Sequence, residues 1–241
     1  MKIKGVDLAV YAFFFCAGLA VAWAATGRAA PAETVKPAWD ETVVPLVGID
    51  HIPFAVRDLE GAAATYRQLG FAIKPGRFHA DGIRNQHVKF PDGAGLELIT
   101  VGAPTDELAK HYFEWAAKTE GPAYVGFRTA NLQAVLEKLG KLGVSSASTD
   151  GTTELRDPTF NWMFVFEGNN RSPTDRPEHF AHSNTAYATA GIWVAPDDPE
   201  RVVQLFKAPG AHVRQVQTEG STRLLLPPGD THGVWIEFRQ M

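Results

Sequence analysis

One segment constrains the fold more than any other: residues 48–101, GIDHIPFAVRDLEGAAATYRQLGFAIKPGRFHADGIRNQHVKFPDGAGLELITV. Its apolar period runs from two to about 3.6 and back to two, which predicts a strand, a helix and three further strands. In the first strand Ile52, Phe54 and Val56 share one face, while His51, Pro53 and Ala55 take the other. In residues 94–100, Leu96 and Leu98 share a face and turn Glu97 and Ile99 the opposite way. The helix over 58–69 carries Leu59, Ala62, Ala63, Tyr66 and Leu69 at helical spacing, so it covers the Ile52 and Leu96 face. His51 and Glu97 are thereby left together on the uncovered face of one small sheet. Val88 and Phe90 turn toward the helix, so Asn85 and His87 join them, with His79 on the preceding strand or turn. A single His or Glu on a sheet is commonly only a hydrogen-bonded or solvated side chain; the pairing on one face gives these two their interest.

The DHI strand at 50–52, the RDLE helix start at 57–60, the LGF turn at 69–71 and the GLELI strand at 95–99 resemble a module of the vicinal-oxygen-chelate superfamily of glyoxalases and extradiol dioxygenases. That resemblance implies an α+β fold of repeated βαβββ modules whose curved sheets form an open cup. It also implies a divalent metal held inside by His and Glu side chains of the first and last strands, here His51 and Glu97. Residues 76–85, GRFHADGIRN, resemble the G-x-x-H-x-x-G-T-x-N pattern of the glyoxalase-like branch, with Ile83 in place of the usual Thr.

Ahead of this segment lies an N-terminal apolar leader. Lys2 and Lys4 precede an apolar run over 8–25, and Ala22-Trp23-Ala24 offers a small-residue cleavage pattern. Residues 1–30 therefore read as a signal peptide or an N-terminal membrane anchor. Both place the rest outside the cytoplasm, in the periplasm, with residues 8–25 as the inner-membrane anchor if the leader is uncleaved. Residues 31–46, broken by Pro31, Pro37 and Pro45, read as a linker, and 47–241 as the folded domain. The net charge is −4 and no basic cluster exists, which argues against nucleic-acid binding. The only cysteine, Cys16, lies in the leader, so the exported chain has neither a disulfide framework nor a catalytic thiol. No G-x-S-x-G elbow, H-E-x-x-H, P-loop or G-x-G-x-x-G is present.

After the first module, 48–101, a helix over 106–118 is expected to pack across its edge. A middle unit, 122–168, has a strand with Val125 and Phe127, a helix capped by Asn131 and stopped by Gly143, and an aromatic strand at 161–167. A last module, 186–239, has a strand ending at Val194, a helix over 199–206 and three returning strands. Its final strand makes Glu237 the counterpart of Glu97, and 48–101 and 186–239 read as internal repeats. Matching Val56 to Val194 sets His51 against Thr189, so this repeat has no matching histidine.

The expected site thus has His51, Glu97 and Glu237 as metal ligands, with Glu97 and Glu237 also serving as catalytic carboxylates. His and carboxylate donors suit Zn, Fe, Mn or Ni. Ligand binding is expected at His79, Asn85, His87, His182, Asn184, Trp193 and Trp235, where His182 with Asn184 resembles an H-P-N segment of the glyoxalase-like branch. The implied function is an exported, divalent-metal-dependent lyase, isomerase or dioxygenase acting on a small oxygen-chelating substrate. Two alternatives stay open: a metal-free module binding a small ligand between Trp193 and Trp235, and a membrane-tethered interaction domain.

Overall fold

The computed structural model describes residues 48–149, 152–168, 172–189, 191–194, 196, 198–206, 214–218, 221–226 and 235–240. The leader and linker readings lie outside the described residues. So do the side chains of Trp193, Trp235 and Glu237, although their strands are described.

The first module runs β1 (Gly48–Ala55), α1 (Leu59–Gln68), β2 (Lys74–Phe78), β3 (Ile83–Lys89) and β4 (Gly95–Val101). Asp58 caps α1 by accepting from the Gly61 N–H at 3.1 Å. Leu59 and Ala63 on its inner face pack with Val56 and Leu98, so the covered face is the expected one. α2 (Glu107–Lys118) and the short β5 (Gly121–Pro122) follow. The middle module is β6 (Val125–Thr129), α3 (Leu132–Lys141), β7 (Ser146–Thr149), β8 (Thr152–Leu155) and β9 (Met163–Glu167). The last is β10 (Gly191–Val194), α4 (Pro199–Phe206), β11 (Arg214–Thr218), β12 (Ser221–Leu226) and β13 (Trp235–Gln240), reached through a 3-10 turn at Pro177–Phe180.

All three modules are wound alike. In each, the first strand pairs parallel with the last, and the two middle strands continue outward: β1-β4-β3-β2, β6-β9-β8-β7 and β10-β13-β12-β11. The repeat expected between the first and last modules is present, and the middle unit is a third copy. The first and middle modules join antiparallel through β1 and β6 into one sheet, with β5 added beside β1. The last module forms a separate four-stranded sheet. The partner completing the first module's sheet is thus the middle module, which the sequence comparison of first and last modules had passed over.

Besides the cluster under α1, two larger cores hold this together. The larger runs from Ile52, Leu96 and Phe90 through Phe127, Leu139 and Trp162 to Ile192, Val202 and Phe206. Phe206 of α4 meets Phe127 edge-on at 4.9 Å, which seats the last module's helix on the middle module. Arg201 strengthens that seat, donating to Asp157 at 3.0 Å and to the Leu142 carbonyl at 2.9 Å. The smaller core corrects the expected edge position of α2. Ala109, Tyr112 and Ala116 pack on Ala55, Ile99 and Val101, so α2 lies on the face that carries His51 and Glu97 and closes one end of it.

Candidate functional site

The open part of that face is the floor of a cavity of about 770 Å³. Its described lining comes from β1 to β4 and from the segment 172–179, and it includes His51, His79, Asn85, His87 and Glu97 together. Strand parity gathers His51, Asn85, His87 and Glu97 on this face, and His79 joins them from the turn after β2.

The floor is one continuous hydrogen-bonded chain. Asp50 Oδ1 lies 2.5 Å from His51 Nδ1, and His51 Nε2 lies 3.1 Å from Glu97 Oε2. Asn85 Nδ2 donates to Glu97 Oε1 at 2.5 Å and stands 3.2 Å from His79 Nε2, which also accepts from Arg77 Nε at 3.3 Å. Burial disfavours a charge on His51, but the hydrogen bonds and charges of Asp50 and Glu97 outweigh it and raise the imidazole to about 9. Burial would likewise raise Glu97. His51 opposes this most strongly, aided by His87 and Asn85, and the carboxyl falls to about 2. His87 lies opposite Glu97 across the β3–β4 ladder, and burial lowers it to about 4 despite the nearby carboxylate, so it is a neutral imidazole at pH 7.

The GRFHADGIRN segment shapes this floor through its glycines. A β-carbon on Gly76 would stand 1.9 Å from the Asn85 carbonyl oxygen, so only glycine lets β2 approach β3 there. That approach allows Asn85 Oδ1 to accept the Arg77 N–H at 2.9 Å. Gly82, at φ +91, turns the chain back so that its N–H donates to the His79 carbonyl at 3.1 Å.

The model of a glyoxalase-like domain family matches residues 49–210. The chain belongs to this glyoxalase-like family. No curated protein matches its sequence. Among solved structures, a hypothetical protein from Staphylococcus aureus aligns at TM-score 0.56 and 13% identity, over 79% of this chain and 84% of that one. A mutant 4-hydroxymandelate synthase from Streptomyces coelicolor aligns at 0.54 and 11%, over 81% of this chain and 63% of that one. A xylose isomerase-like TIM barrel/4-hydroxyphenylpyruvate dioxygenase fusion protein aligns at 0.53 and 17%, over 81% of this chain and 32% of that one. At such identities these likenesses concern the vicinal-oxygen-chelate fold and not the chemistry.

Within this glyoxalase-like chain the three modules can be compared position by position. The helix caps Asp58, Asn131 and Asp198 follow His51, Tyr124 and Gly191 by the same interval. The parallel registers agree, pairing Pro53 with Glu97, Gly126 with Phe164 and Trp193 with Glu237. The positions of His51 and Glu97 are thus held by Tyr124 and Phe164 in the middle module, and by Gly191 and Glu237 in the last. The residue matched to His51 in the last module is therefore Gly191, two positions beyond Thr189, because the strand-to-helix connection and not the valine pair sets the alignment. Phe164 and Phe166 both approach the His51 ring, with centroids 5.4 and 5.6 Å away.

These positions bear on the expected metal. His51 and Glu97 supply two donors at a common spacing, with Asp50 bracing the ring from behind. Among the described residues no group of three His, Cys, Asp or Glu side chains forms a metal centre. Glu237 occupies the register position of Glu97, but on the separate sheet, and its side chain lies outside the described residues. The described donor set is therefore half of a symmetrical one and does not make up a metal site.

Two other expected ligand residues take structural work instead. His182 is buried away from the cup, where Nδ1 accepts the Ala72 N–H at 2.9 Å and Nε2 donates to the Lys89 carbonyl at 3.0 Å. Its ring stacks edge-on against Phe71 and Phe90. Asn184 donates to the Leu69 carbonyl at 2.8 Å and accepts from the Ala186 N–H at 3.1 Å. Both pin the connecting segment to the first module. The sequence reading missed Asp50, Lys74, Lys89 and Asp175. Lys89 was open to discovery, since period two puts it on the face of Asn85 and His87.

Proposed function

We propose that the cup binds a small molecule and does so without a metal. The observation that carries this reading is the replacement of the His51 and Glu97 positions by Tyr124 and Phe164 in the module that completes the sheet. Half of a symmetrical ligand set is thus aromatic and offers no carboxylate or imidazole donor. The remaining polar floor satisfies itself, because both ring nitrogens of His51 and both oxygens of Glu97 have hydrogen-bond partners. A cavity of about 770 Å³ lies in the range of small-molecule sites. Pro75 and Leu96 add apolar surface to its lining, while His79 and His87 offer polar contacts to a ligand's oxygens. Binding titrations of small oxygen-rich compounds test this. Affinity is expected to survive a strong chelator and to fall about tenfold in Glu97→Gln, which frees Asn85 and His51 from their anionic partner. Binding that strictly requires an added divalent ion would contradict the proposal.

A second reading, a divalent-metal lyase, isomerase or dioxygenase, is favoured by one distance. The 3.1 Å between His51 Nε2 and Glu97 Oε2 is close to that between adjacent donors each about 2.1 Å from one ion. It requires a third donor, for which Glu237 is the candidate. The basic and apolar leader supports a further proposal, that the protein is exported and works in the periplasm.

A further inference from the structure

Four cationic side chains, Lys74, Arg77, Lys89 and Arg176, line the cavity, against one lining carboxylate, Glu97, among the described residues. Two of them are unusual for lysines in being buried, Lys74 at 7% exposure and Lys89 at 6%. Both reach toward one carboxylate, that of Asp175. Lys74 Nζ stands 2.5 Å from Asp175 Oδ1, and Lys89 Nζ stands 4.0 Å from Oδ2. Asp175 belongs to neither strand. It comes from the 172–180 segment, where its own carboxylate accepts the Ser172 N–H at 3.0 Å, and that segment forms part of the cavity wall. A loop thus places a carboxylate at the two buried ammonium groups, in the geometry that a bound anion would adopt.

We propose that Lys74 and Lys89 form an anion subsite of the cup, that the ligand carries a carboxylate or phosphate group, and that this group displaces Asp175 from the two lysines. The inference rests on the reading of the cup as a small-molecule site and adds the charge of its ligand. Two ammonium groups in a partly dry cavity favour a paired anion far more than they would in water. The Asp175 carboxylate keeps them paired when no ligand is present. Its displacement loosens the two ion pairs by which Asp175 ties its segment to Lys74 of β2 and Lys89 of β3. The ligand's remaining atoms then lie over Glu97, His87 and His51 on the cavity floor.

Calorimetric titration of the full-length protein with phenylacetate, with its neutral partner phenylacetamide, and with inorganic phosphate tests this. Phenylacetate or phosphate is expected to bind, and phenylacetamide to bind at least about tenfold more weakly. Lys74→Met weakens the anion about tenfold or more. Asp175→Asn, which removes the internal competitor while preserving shape, tightens it several-fold; a purely structural Asp175 would give weaker binding or none. Should Lys74→Met fail to fold, the Asp175→Asn result alone decides the matter. Equal binding of amide and carboxylate, unchanged in Asp175→Asn, overturns the anion subsite and leaves the small-molecule reading standing. Absence of binding by all three probes overturns the subsite and withdraws support from the cup reading as well.

Discussion

Burial alone would strip the proton from His51; Asp50 and Glu97 keep it there up to about pH 9. Because this pKa is raised above the ordinary 6.5, the stability it contributes is full below about 6.5 and is lost as pH rises through 9. Glu97 runs the other way: lowered from 4.5 to about 2, its contribution is present above 4.5 and lost as pH falls through 2. In chelator-treated protein the ring carbon resonances of His51 are therefore expected to stay at their imidazolium positions through pH 8, and titration near pH 6.5 would contradict the triad. Replacing His51 by Gln leaves Asp50 and Glu97 facing each other without the cation and is expected to cost about 3 kcal/mol in urea denaturation. Parity alone revealed His51 with Glu97, because period two is a local property of each strand. Asp50 stayed hidden because β1 shifts register against β6 between Ile49 and His51, which breaks the alternation there. His182 misled because its two partners, Ala72 and Lys89, lie 110 and 93 residues away.

At the scale of elements, the β2–β3 junction depends on the missing side chain of Gly76. Gly76→Ala must push apart β2 and the Asn85 carbonyl, and is expected to destabilise the protein by about 2 kcal/mol or more while weakening ligand binding, because Asn85 loses its grip on Glu97. Full stability in Gly76→Ala, measured by thermal and urea unfolding, would contradict this. The helices were legible because their start signals are local: Asn131 caps as the sequence placed it, and Asp58 and Asp106, where the first two helices were expected to begin, cap them. The seat of α2 was not legible. Its amphipathic pattern states that one face is buried, but only the folded chain decides that Ala55, Ile99 and Val101 receive it.

At the scale of the molecule, three modules of one winding have diverged around a single intact His and Glu pair. The repeat was readable from its last strands, where Glu97 and Glu237 share a register position. The middle copy was obscured because its site positions are Tyr124 and Phe164, which read as core. A reporter fused after Val47 is expected to be active outside the cytoplasm, and activity confined to the cytoplasm would contradict the export proposal. The central claim is that this glyoxalase-like cup binds its ligand without a metal. Elemental analysis of the purified full-length protein, before any chelator treatment, tests it most directly. The account predicts no divalent transition metal above about a tenth of an equivalent, with wild type and His51→Gln alike; near-stoichiometric metal in the wild type that vanishes in His51→Gln would contradict it.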